Sequence, residues 1–290
     1  MRDFLRLCRD YLERTAVYGL ISLFTSQQVP PKAYLNTIGI QSMRIDWARK
    51  LMNYRRRKKK EKYAREFNQF ATELSILECD GIVLIQDFLP DKCLEEIARY
   101  QSLPIEKRHE QFKYFKLRGA EYLDGVVENV LPATSRFLRQ SPLIQTLPKI
   151  YLGRNSVSQN WRLKYVRDLP GQMDVNCLNH SDTFHNTLKM WIYLDDVEMS
   201  EDSLKFWKRS HLPHDGIDNL RVQGLVEGCG SPRIDNCVME NLGFQKFDQS
   251  IKANSLVIAD THGCHFRNYA SQKTEWRPTI FCSLRVSSFF

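Results

Sequence analysis

Apolar and polar residues alternate with a helical period in the first quarter of the chain. From Arg2 to about Phe24 the apolar positions recur at helical spacing, which predicts a helix. Pro30-Pro31 interrupts that pattern, because proline breaks a helix interior. A second helical stretch is predicted from about Met43 to Leu77. We therefore expect a helical N-terminal extension.

The pattern changes character close to residue 79. Asp80-Gly81 is a turn signal, and the run from Ile82 to Ile85 is short and rich in β-forming residues. Pro90 and Asp91 then mark the start of a helix. The segments predicted next are a helix at about Lys92–Ser102, loop or helix at Pro104–Tyr114, and one or two helices at Val126–Leu152, broken near Ser141-Pro142.

From Ser158 onward the hydrophobic pattern is that of short strands between turns. No regular helices are predicted between them, which favours an antiparallel sandwich or barrel over a doubly wound sheet. A polar, glycine-bearing stretch from Asp215 to Gly243 interrupts the series. We predict a mainly β fold with flanking helices, divided into residues 1–76 and residues 77–290. The predicted strands are Trp161–Val166, Leu188–Leu194, Leu204–Trp207, Ser255–Ala259 and Thr279–Val286.

Composition is that of a soluble globular protein. The 290 residues are 42% hydrophobic and 26% charged, enough to bury a full core without disulfides. The eight cysteines are scattered without a CxxC pair, which fits reduced thiols. No apolar stretch approaches the roughly 20 residues that a membrane span needs, and a secretory signal is not apparent. The expected location is the cytoplasm.

The net charge of +8 is concentrated in one basic run, Arg55–Arg65. Such a run can be a solvated face of helices that pack on the main domain, or it can contact an anionic membrane surface or nucleic acid. We favour the first interpretation and keep peripheral contact with an anionic surface as the alternative. Nucleic acid is not expected as a partner, because no recognition motif accompanies the charge.

His180 and Asp182 are the first candidates for chemistry. Residues two apart in a strand point to the same side, so both side chains can reach one metal ion. His265 is the candidate third ligand, and His262 competes with it. Two histidines and one carboxylate leave the opposite face of a metal open, as non-haem Fe(II) requires. The alternative is an ordinary hydrogen-bonded pair of His180 and Asp182 at a strand end.

Arg277 is a candidate for binding the distal carboxylate of an oxo-acid co-substrate, because a guanidinium can bind a carboxylate in bidentate fashion. It can also be a plain surface arginine, with Arg267 and Arg285 as substitutes. The remaining candidates have lesser roles. His185 is expected to contact a metal ligand or line the pocket rather than bind the metal. His211 and His214 are expected at the surface or in structural roles, and Cys177 and Cys264 as small buried residues.

These motifs together resemble the phytanoyl-CoA dioxygenase-like family. The resemblance rests on His180-Ser181-Asp182, on the segment from Thr187 to Val197, and on Asp260-Thr261-x-Gly-x-His265 followed by Arg277. Asp80-Gly81-Ile82-Val83 is similar to the segment where that family's chain enters its sheet. The likeness covers about Leu77 to Val286.

The resemblance implies a double-stranded β-helix, or jelly-roll, core and an Fe(II)- and 2-oxoglutarate-dependent dioxygenase that uses molecular oxygen. It implies that His180, Asp182 and His265 hold the iron and are the catalytic residues. Arg277 would bind 2-oxoglutarate, and Trp191 would lie near it, although Trp191 can equally be a core residue. The implied reaction hydroxylates a small-molecule or lipid-like substrate and releases succinate and CO2.

Two segments depart from the family pattern. Where the family often has Asn-Gly-Pro and Pro-Gly-Ser-His, this chain has Glu201-Asp202-Ser203 and Lys208-Arg209-Ser210-His211. Losing glycine changes a turn rather than a metal ligand, so the shape of the substrate pocket is in question. Asp182 favours hydroxylation over halogenation, because a halide needs the coordination site that this carboxylate fills. Alternatives are a catalytically degenerate binding protein and a basic protein acting through Arg55–Arg65.

Overall fold

The structure is a computed structural model. It describes residues 38–63, 68–103, 112–117, 119–154, 159–171, 173–182, 187–199, 203–226, 232–269 and 275–284. Three predictions lie outside these ranges: the helix at Arg2–Phe24 and the roles of His185 and Arg285. The described helices are α1 (Ile38–Lys62), α2 (Ala71–Asp80), α3 (Asp91–Gln101), α4 (Val127–Val130), α5 (Pro132–Gln140), α6 (Pro142–Tyr151), α7 (Asp215–Val226) and α8 (Asn236–Asn241).

Ten strands form two antiparallel sheets in the described part of the chain. The larger sheet has seven strands in the order β1-β8-β5-β10-β4-β3-β2, and the smaller has the order β7-β6-β9. The predicted fold class, mainly antiparallel β with flanking helices around a jelly-roll core, is confirmed. The strands are β1 (Ile82–Ile85), β2 (Lys113–Leu117), β3 (Ala120–Val126), β4 (Arg162–Asp168), β5 (Leu188–Tyr193), β6 (Leu204–Trp207), β7 (Lys246–Phe247), β8 (Ser255–Asp260), β9 (His265–Arg267) and β10 (Arg277–Leu284).

The two faces of the larger sheet have different partners. On β5, Met190 and Ile192 belong to the main hydrophobic core, which also contains residues of α3, α5 and α6. Trp191 and Tyr193 alternate with them and pack in a second core that includes Phe206 of the smaller sheet. The second face is therefore the interior of the jelly roll, between the two sheets.

Three parts of the predicted secondary structure were wrong. The end of the segment predicted as loop or helix, together with the residues after it, forms the β2–β3 hairpin. Strand β2 is at the sheet edge and largely exposed, so it lacks the apolar alternation that reveals a half-buried strand. The polar stretch Asp215–Gly243 contains helices α7 and α8. Residues Val126–Leu152 form three helices rather than one or two.

Helix α1 carries the first part of the basic run, residues 55–62. It contacts both α6 and α7, which belong to the predicted second domain. The predicted boundary between residues 76 and 77 falls inside helix α2. Among the helices that the structure describes, none has the length and apolar character to cross a membrane.

Candidate metal centre

Backbone pairing brings the predicted ligand segments together. His180 and His265 form a two-way bridge, in which each backbone N–H donates to the other residue's carbonyl oxygen at 2.9 Å. The Asp182 N–H donates to the Thr261 carbonyl oxygen at 2.9 Å. His180 therefore lies in two isolated bridges, to His265 and to Arg233, and Asp182 lies beyond them, not in the regular strand that the alternation argument assumed. The extended backbone still directs both side chains to His265.

The three side chains converge on one point. One potential ligand atom from each of His180, Asp182 and His265 lies within 4.8 Å of the other two. The Nε2 atom of His180 is 3.8 Å from Asp182 Oδ1, and the Nε2 atom of His265 is 3.8 Å from Asp182 Oδ2. The two imidazole rings have centroids 4.4 Å apart. These spacings suit one ion bound between two imidazole nitrogens and a carboxylate oxygen.

Both imidazoles are held in the tautomer that a metal ligand needs. Nδ1 of His180 lies 2.7 Å from the Leu178 carbonyl oxygen, and Nδ1 of His265 lies 3.0 Å from the Gly263 carbonyl oxygen. A carbonyl only accepts hydrogen bonds, so the proton is on Nδ1 in both rings. Each Nε2 therefore directs a lone pair toward Asp182, as in metal sites whose ligand histidines donate to backbone carbonyls.

Burial and charge keep this cluster in its metal-binding protonation state. Desolvation, followed by the proximity of His265, lowers the pKa of His180 to about 2. Desolvation also lowers the pKa of His265. For Asp182, burial acts to raise the pKa, but His265 and Lys189 outweigh it and the pKa is lowered. At neutral pH the cluster is two neutral imidazoles and one carboxylate.

Lys189 is a fourth member of the site that the sequence interpretation missed. Its Nζ lies 2.5 Å from Asp182 Oδ2, and its side chain is largely buried. Lys189 precedes Trp191 by two residues on β5, so both side chains face the jelly-roll interior. The same alternation that was applied to His180 and Asp182 would have found it.

The turn between β8 and β9 sets the position of His265. Its Gly263 is required by a close approach, because a Cβ atom there would lie 2.4 Å from the Phe206 ring and 3.0 Å from Ser210 Oγ. The Ser181 hydroxyl donates to the His262 carbonyl oxygen at 2.6 Å, which ties this turn to the segment carrying His180. Tight packing and hydrogen bonding thus hold both ligand segments together.

Arg277 is at the start of β10, on the interior face, and it binds a buried carboxylate. Its Nη2 donates to Asp168 Oδ2 at 3.0 Å. Arg267, the predicted substitute, donates to both oxygens of Asp168 at 3.0 and 2.7 Å and to Asp174 at 2.9 Å. Arg267 follows His265 by two residues on β9. An arginine–carboxylate network therefore begins beside the histidine cluster and reaches Arg277.

Trp191 is half-buried on the interior face of β5. It is paired in register with Phe281 of β10, and the two ring centroids are 5.8 Å apart. The register places Arg277 on the same face of β10 as Phe281. Trp191 thus lies on the face that also carries Arg277 and Lys189, and it packs against the second hydrophobic core.

The competing histidines have other surroundings. His262 is buried, with its Nε2 3.5 Å from Nη2 of Arg49, and it is not a member of the three-residue cluster. His211 is buried and its Nε2 lies 3.1 Å from the Glu78 carbonyl oxygen, whereas His214 is half-buried. Cys264 is buried, and desolvation raises the pKa of its thiol.

The network around Arg277 was also missed in part. Neither Asp168 nor Asp174 is among the candidates that the sequence offered. Both are buried, and Asp174 also binds the Tyr122 hydroxyl. Their partners come from β3, β9 and β10, which are far apart in sequence, so no local signal marks them.

No protein-family model and no curated protein matches this chain. Solved structures do match in fold. The epimerase SnoN, in complex with Fe3+, alpha ketoglutarate and nogalamycin RO, is 16% identical over 72% of this chain and 80% of its own, with a TM-score of 0.50. EctD from S. alaskensis, with 2-oxoglutarate and 5-hydroxyectoine, is 15% identical over 76% of this chain and 79% of its own, with a TM-score of 0.49. At these identities the likeness to SnoN shows a shared fold.

Proposed function

We propose that this protein is an Fe(II)- and 2-oxoglutarate-dependent oxygenase that hydroxylates a small-molecule substrate. The observation that carries the proposal is the convergence of two Nε2 lone pairs and one carboxylate within 4.8 Å in a buried site. Two neutral imidazoles and a carboxylate on one side of an ion are the ligand set of non-haem Fe(II) oxygenases. The epimerase SnoN, whose structure shares the fold, is in complex with Fe3+ and alpha ketoglutarate.

Each residue has a defined task in this proposal. His180, Asp182 and His265 hold the metal, and the hydrogen bonds of both Nδ1 atoms keep the rings oriented toward it. Arg277 binds the distal carboxylate of the co-substrate, and Trp191 shapes the pocket beside it. Iron, when bound, would activate O2, with 2-oxoglutarate supplying two electrons as it is oxidised to succinate and CO2 and the substrate supplying the other two. The protein supplies position and access.

The proposal includes hydroxylation as the outcome, because Asp182 supplies the carboxylate ligand that a halide would have to replace. Within the class of small molecules, we propose a lipid-like substrate. We also propose a cytoplasmic location, because the scattered cysteines fit reduced thiols. The subfamily proposed is the phytanoyl-CoA dioxygenase-like one, on the motifs from His180 to Arg277.

The test is anaerobic addition of Fe(II) and 2-oxoglutarate to the purified protein, followed by visible absorption. A weak metal-to-ligand charge-transfer band is expected, lost in His265→Ala and weakened in Arg277→Ala. His214→Ala is the matched control, because His214 lies outside the cluster, and it should keep the band. Admitting oxygen with a substrate panel should then yield succinate. A wild-type protein that binds no iron contradicts the proposal.

Lys189 supports a second candidate, a degenerate jelly-roll protein that binds without turnover. An ammonium group 2.5 Å from Asp182 already compensates the carboxylate charge that a metal would use. Lys189→Met separates the two functions. If the protein is an oxygenase, the wild-type protein binds the metal, and the variant binds it about tenfold more tightly because about 1.4 kcal/mol of charge repulsion is removed. A degenerate protein binds metal only after the substitution.

Contact of Arg55–Arg65 with an anionic surface is a weaker proposal. Arg57, Lys58 and Lys62 are exposed on α1 and can reach such a surface, whereas Arg56 is directed into the protein. Sedimentation with vesicles containing phosphatidylserine tests it. Salt-sensitive binding that is lost when the three exposed residues are replaced by Gln supports the contact, and no binding at low salt contradicts it.

A further inference from the structure

Helix α1 presents one side to the rest of the protein. Ile45, Arg49, Met52 and Arg56 recur at spacings of four, three and four residues, which places them on one helical face. Ile45 and Met52 are buried, and both arginines bind groups of the jelly-roll part of the chain. The neighbouring Arg57 is exposed. Arg56 therefore differs in environment from the exposed residue that follows it in the basic run.

Arg56 reaches a buried acid beneath the metal-binding turn. Its guanidinium carbon lies 3.8 Å from the centroid of the Tyr151 ring, and its Nε donates to the Tyr151 carbonyl oxygen. Its Nη2 is 3.9 Å from Asp260 Oδ2. Asp260 is fully buried, so this positive charge compensates a carboxylate that water does not reach.

Asp260 in turn organises the turn that carries His265. One carboxylate oxygen accepts hydrogen bonds from the backbone N–H groups of Thr187, at 3.0 Å, and of His262, at 3.2 Å. The other oxygen accepts from the Tyr151 hydroxyl at 2.6 Å. Asp260 thereby joins the start of the turn to the segment before β5, and the positive charge of Arg56 compensates the negative charge of Asp260.

Arg49 makes an independent connection to the same turn. It binds both oxygens of Asp218 at 2.5 and 2.7 Å. Asp218 accepts a hydrogen bond from Arg221 at 3.0 Å, and the buried Arg221 donates to the His262 carbonyl oxygen at 2.7 Å. One ion pair, Arg56 with Asp260 at 3.9 Å, and one chain of charged hydrogen bonds from Arg49 therefore lead from α1 to residues 260–262.

The fit of α1 against α6 is close at the level of the backbone. A Cβ atom on Gly153 would lie 2.4 Å from Arg55 Cβ and 3.1 Å from the Arg56 backbone nitrogen. Gly153 also has a φ of +65°, which favours glycine. The helix is thus seated where Arg56 can reach Asp260.

We infer that α1 is a brace for the metal-binding turn and that Arg56 and Arg49 are positioning residues for His265. The inference rests on the proposed metal site. It assigns a role in metal binding to a helix that lies outside the segment resembling known oxygenases. The brace acts through Asp260 and His262, and neither arginine is a member of the His-Asp-His cluster.

The experiment compares Arg56→Gln with Arg57→Gln in the full chain, using Co(II) as the metal probe. Arg57 is the matched control because it is the next residue on the same helix and is exposed. Arg56→Gln should lower Co(II) affinity at least tenfold, as loss of groups that orient ligands does, and should change the visible Co(II) bands. Arg56→Lys, which keeps the charge, should restore part of the affinity. Arg57→Gln should match wild type.

Hydrogen exchange on the metal-free proteins separates failure of the brace from failure of the metal site. Faster exchange of the backbone amides of residues 261–265 is expected in Arg56→Gln and not in Arg57→Gln. If wild type binds no Co(II), the metal proposal fails and the exchange data still decide the brace. If Arg56→Gln has the Co(II) affinity and the amide exchange rates of the wild-type protein, the proposed brace is wrong. If that variant does not fold, Arg49→Gln takes its place under the same criteria.

Discussion

Asp182 and Asp260 are two carboxylates in the same region with opposite surroundings. Asp260 is fully buried and accepts hydrogen bonds from two backbone N–H groups and the Tyr151 hydroxyl, with Arg56 nearby. Asp182 faces two imidazole Nε2 atoms that carry no proton, and its charged neighbour is the Lys189 ammonium at 2.5 Å.

The difference shows how a structural acid can be told from a ligand. The donors around Asp260 are mainly fixed groups, so its carboxylate is saturated and cannot exchange partners without local unfolding. The groups facing Asp182 are two imidazole lone pairs, the Lys189 ammonium and the Thr261 hydroxyl. The two lone pairs repel a carboxylate, and a divalent cation between them would relieve that repulsion. The pKa of both acids is lowered although burial opposes it, so a lowered pKa alone does not distinguish them. The chemistry of the partners does.

The largest expected effect is on stability, from Asp260→Asn. The substitution leaves Arg56 beside a neutral amide and places an NH2 group where an oxygen accepted hydrogen bonds. Breaking one side of a buried charge pair costs about 3–5 kcal/mol of unfolding free energy. Urea denaturation measures it, with the exposed Asp46→Asn on α1 as control. A loss of unfolding free energy below about 1 kcal/mol would show that Asp260 does not have the structural role that distinguishes it from Asp182.

Asp182→Asn should affect metal binding more than stability, the opposite of Asp260→Asn. Metal affinity is expected to fall about 100-fold or more, beyond the effect of losing a group that only orients a ligand. The unfolding free energy of the metal-free protein should fall less than in Asp260→Asn, because Lys189 can move toward solvent. Calorimetric titration with Co(II) and urea denaturation test both parts. Unchanged affinity would show that Asp182 is not a ligand.

Acid should destabilise the metal-free protein through histidines near both acids. Burial lowers the pKa of His180 to about 2 and also lowers the pKa of His211 and His265. Their pKa in the unfolded chain is about 6.5, so below that pH the unfolded state binds more protons. Stability is therefore full above about pH 6.5 and is lost as the pH falls below it, by up to about 1.4 kcal/mol per unit for each histidine.

Urea titrations from pH 8 to pH 5 in the presence of a chelator measure this slope. His211→Gln should make the slope shallower, because it removes one of the three histidines that take up a proton on unfolding. A slope unchanged in that variant would show that His211 titrates normally in the folded state.

The smallest effect is expected at a turn outside both acid sites. Arg209 is exposed and has a φ of 66°, in the left-handed region that favours glycine, where the resembling family often has glycine. Arg209→Gly should raise the unfolding free energy by about 0.5–1 kcal/mol, since relief of strain exceeds the added entropy of the unfolded chain. The urea midpoint measures it. Lys208→Gly, the control, should destabilise, because Lys208 pairs with Asp80 at 3.0 Å.

Local patterns were sufficient for much of the fold and for part of the site. The Asp80-Gly81 turn, strand β1 and helix α3 were predicted within a residue or two because their signals lie within a few adjacent residues. The edge strand β2 and helices α7 and α8 were missed because partly exposed elements show little apolar periodicity. His180, Asp182 and His265 were singled out by residue type and order, and the structure brings them together.

The sequence by itself determined the class of fold, the candidate ligand set and the presence of a basic helix. Only the tertiary structure decided that Lys189 contacts Asp182, that Asp168 joins Arg267 to Arg277, and that Arg56 is directed toward Asp260 while Arg57 is exposed. The physical reason is that propensity and periodicity act over a few neighbouring residues. The partner of a buried charge, in contrast, is chosen by which distant segments pack together, and no local pattern encodes that choice.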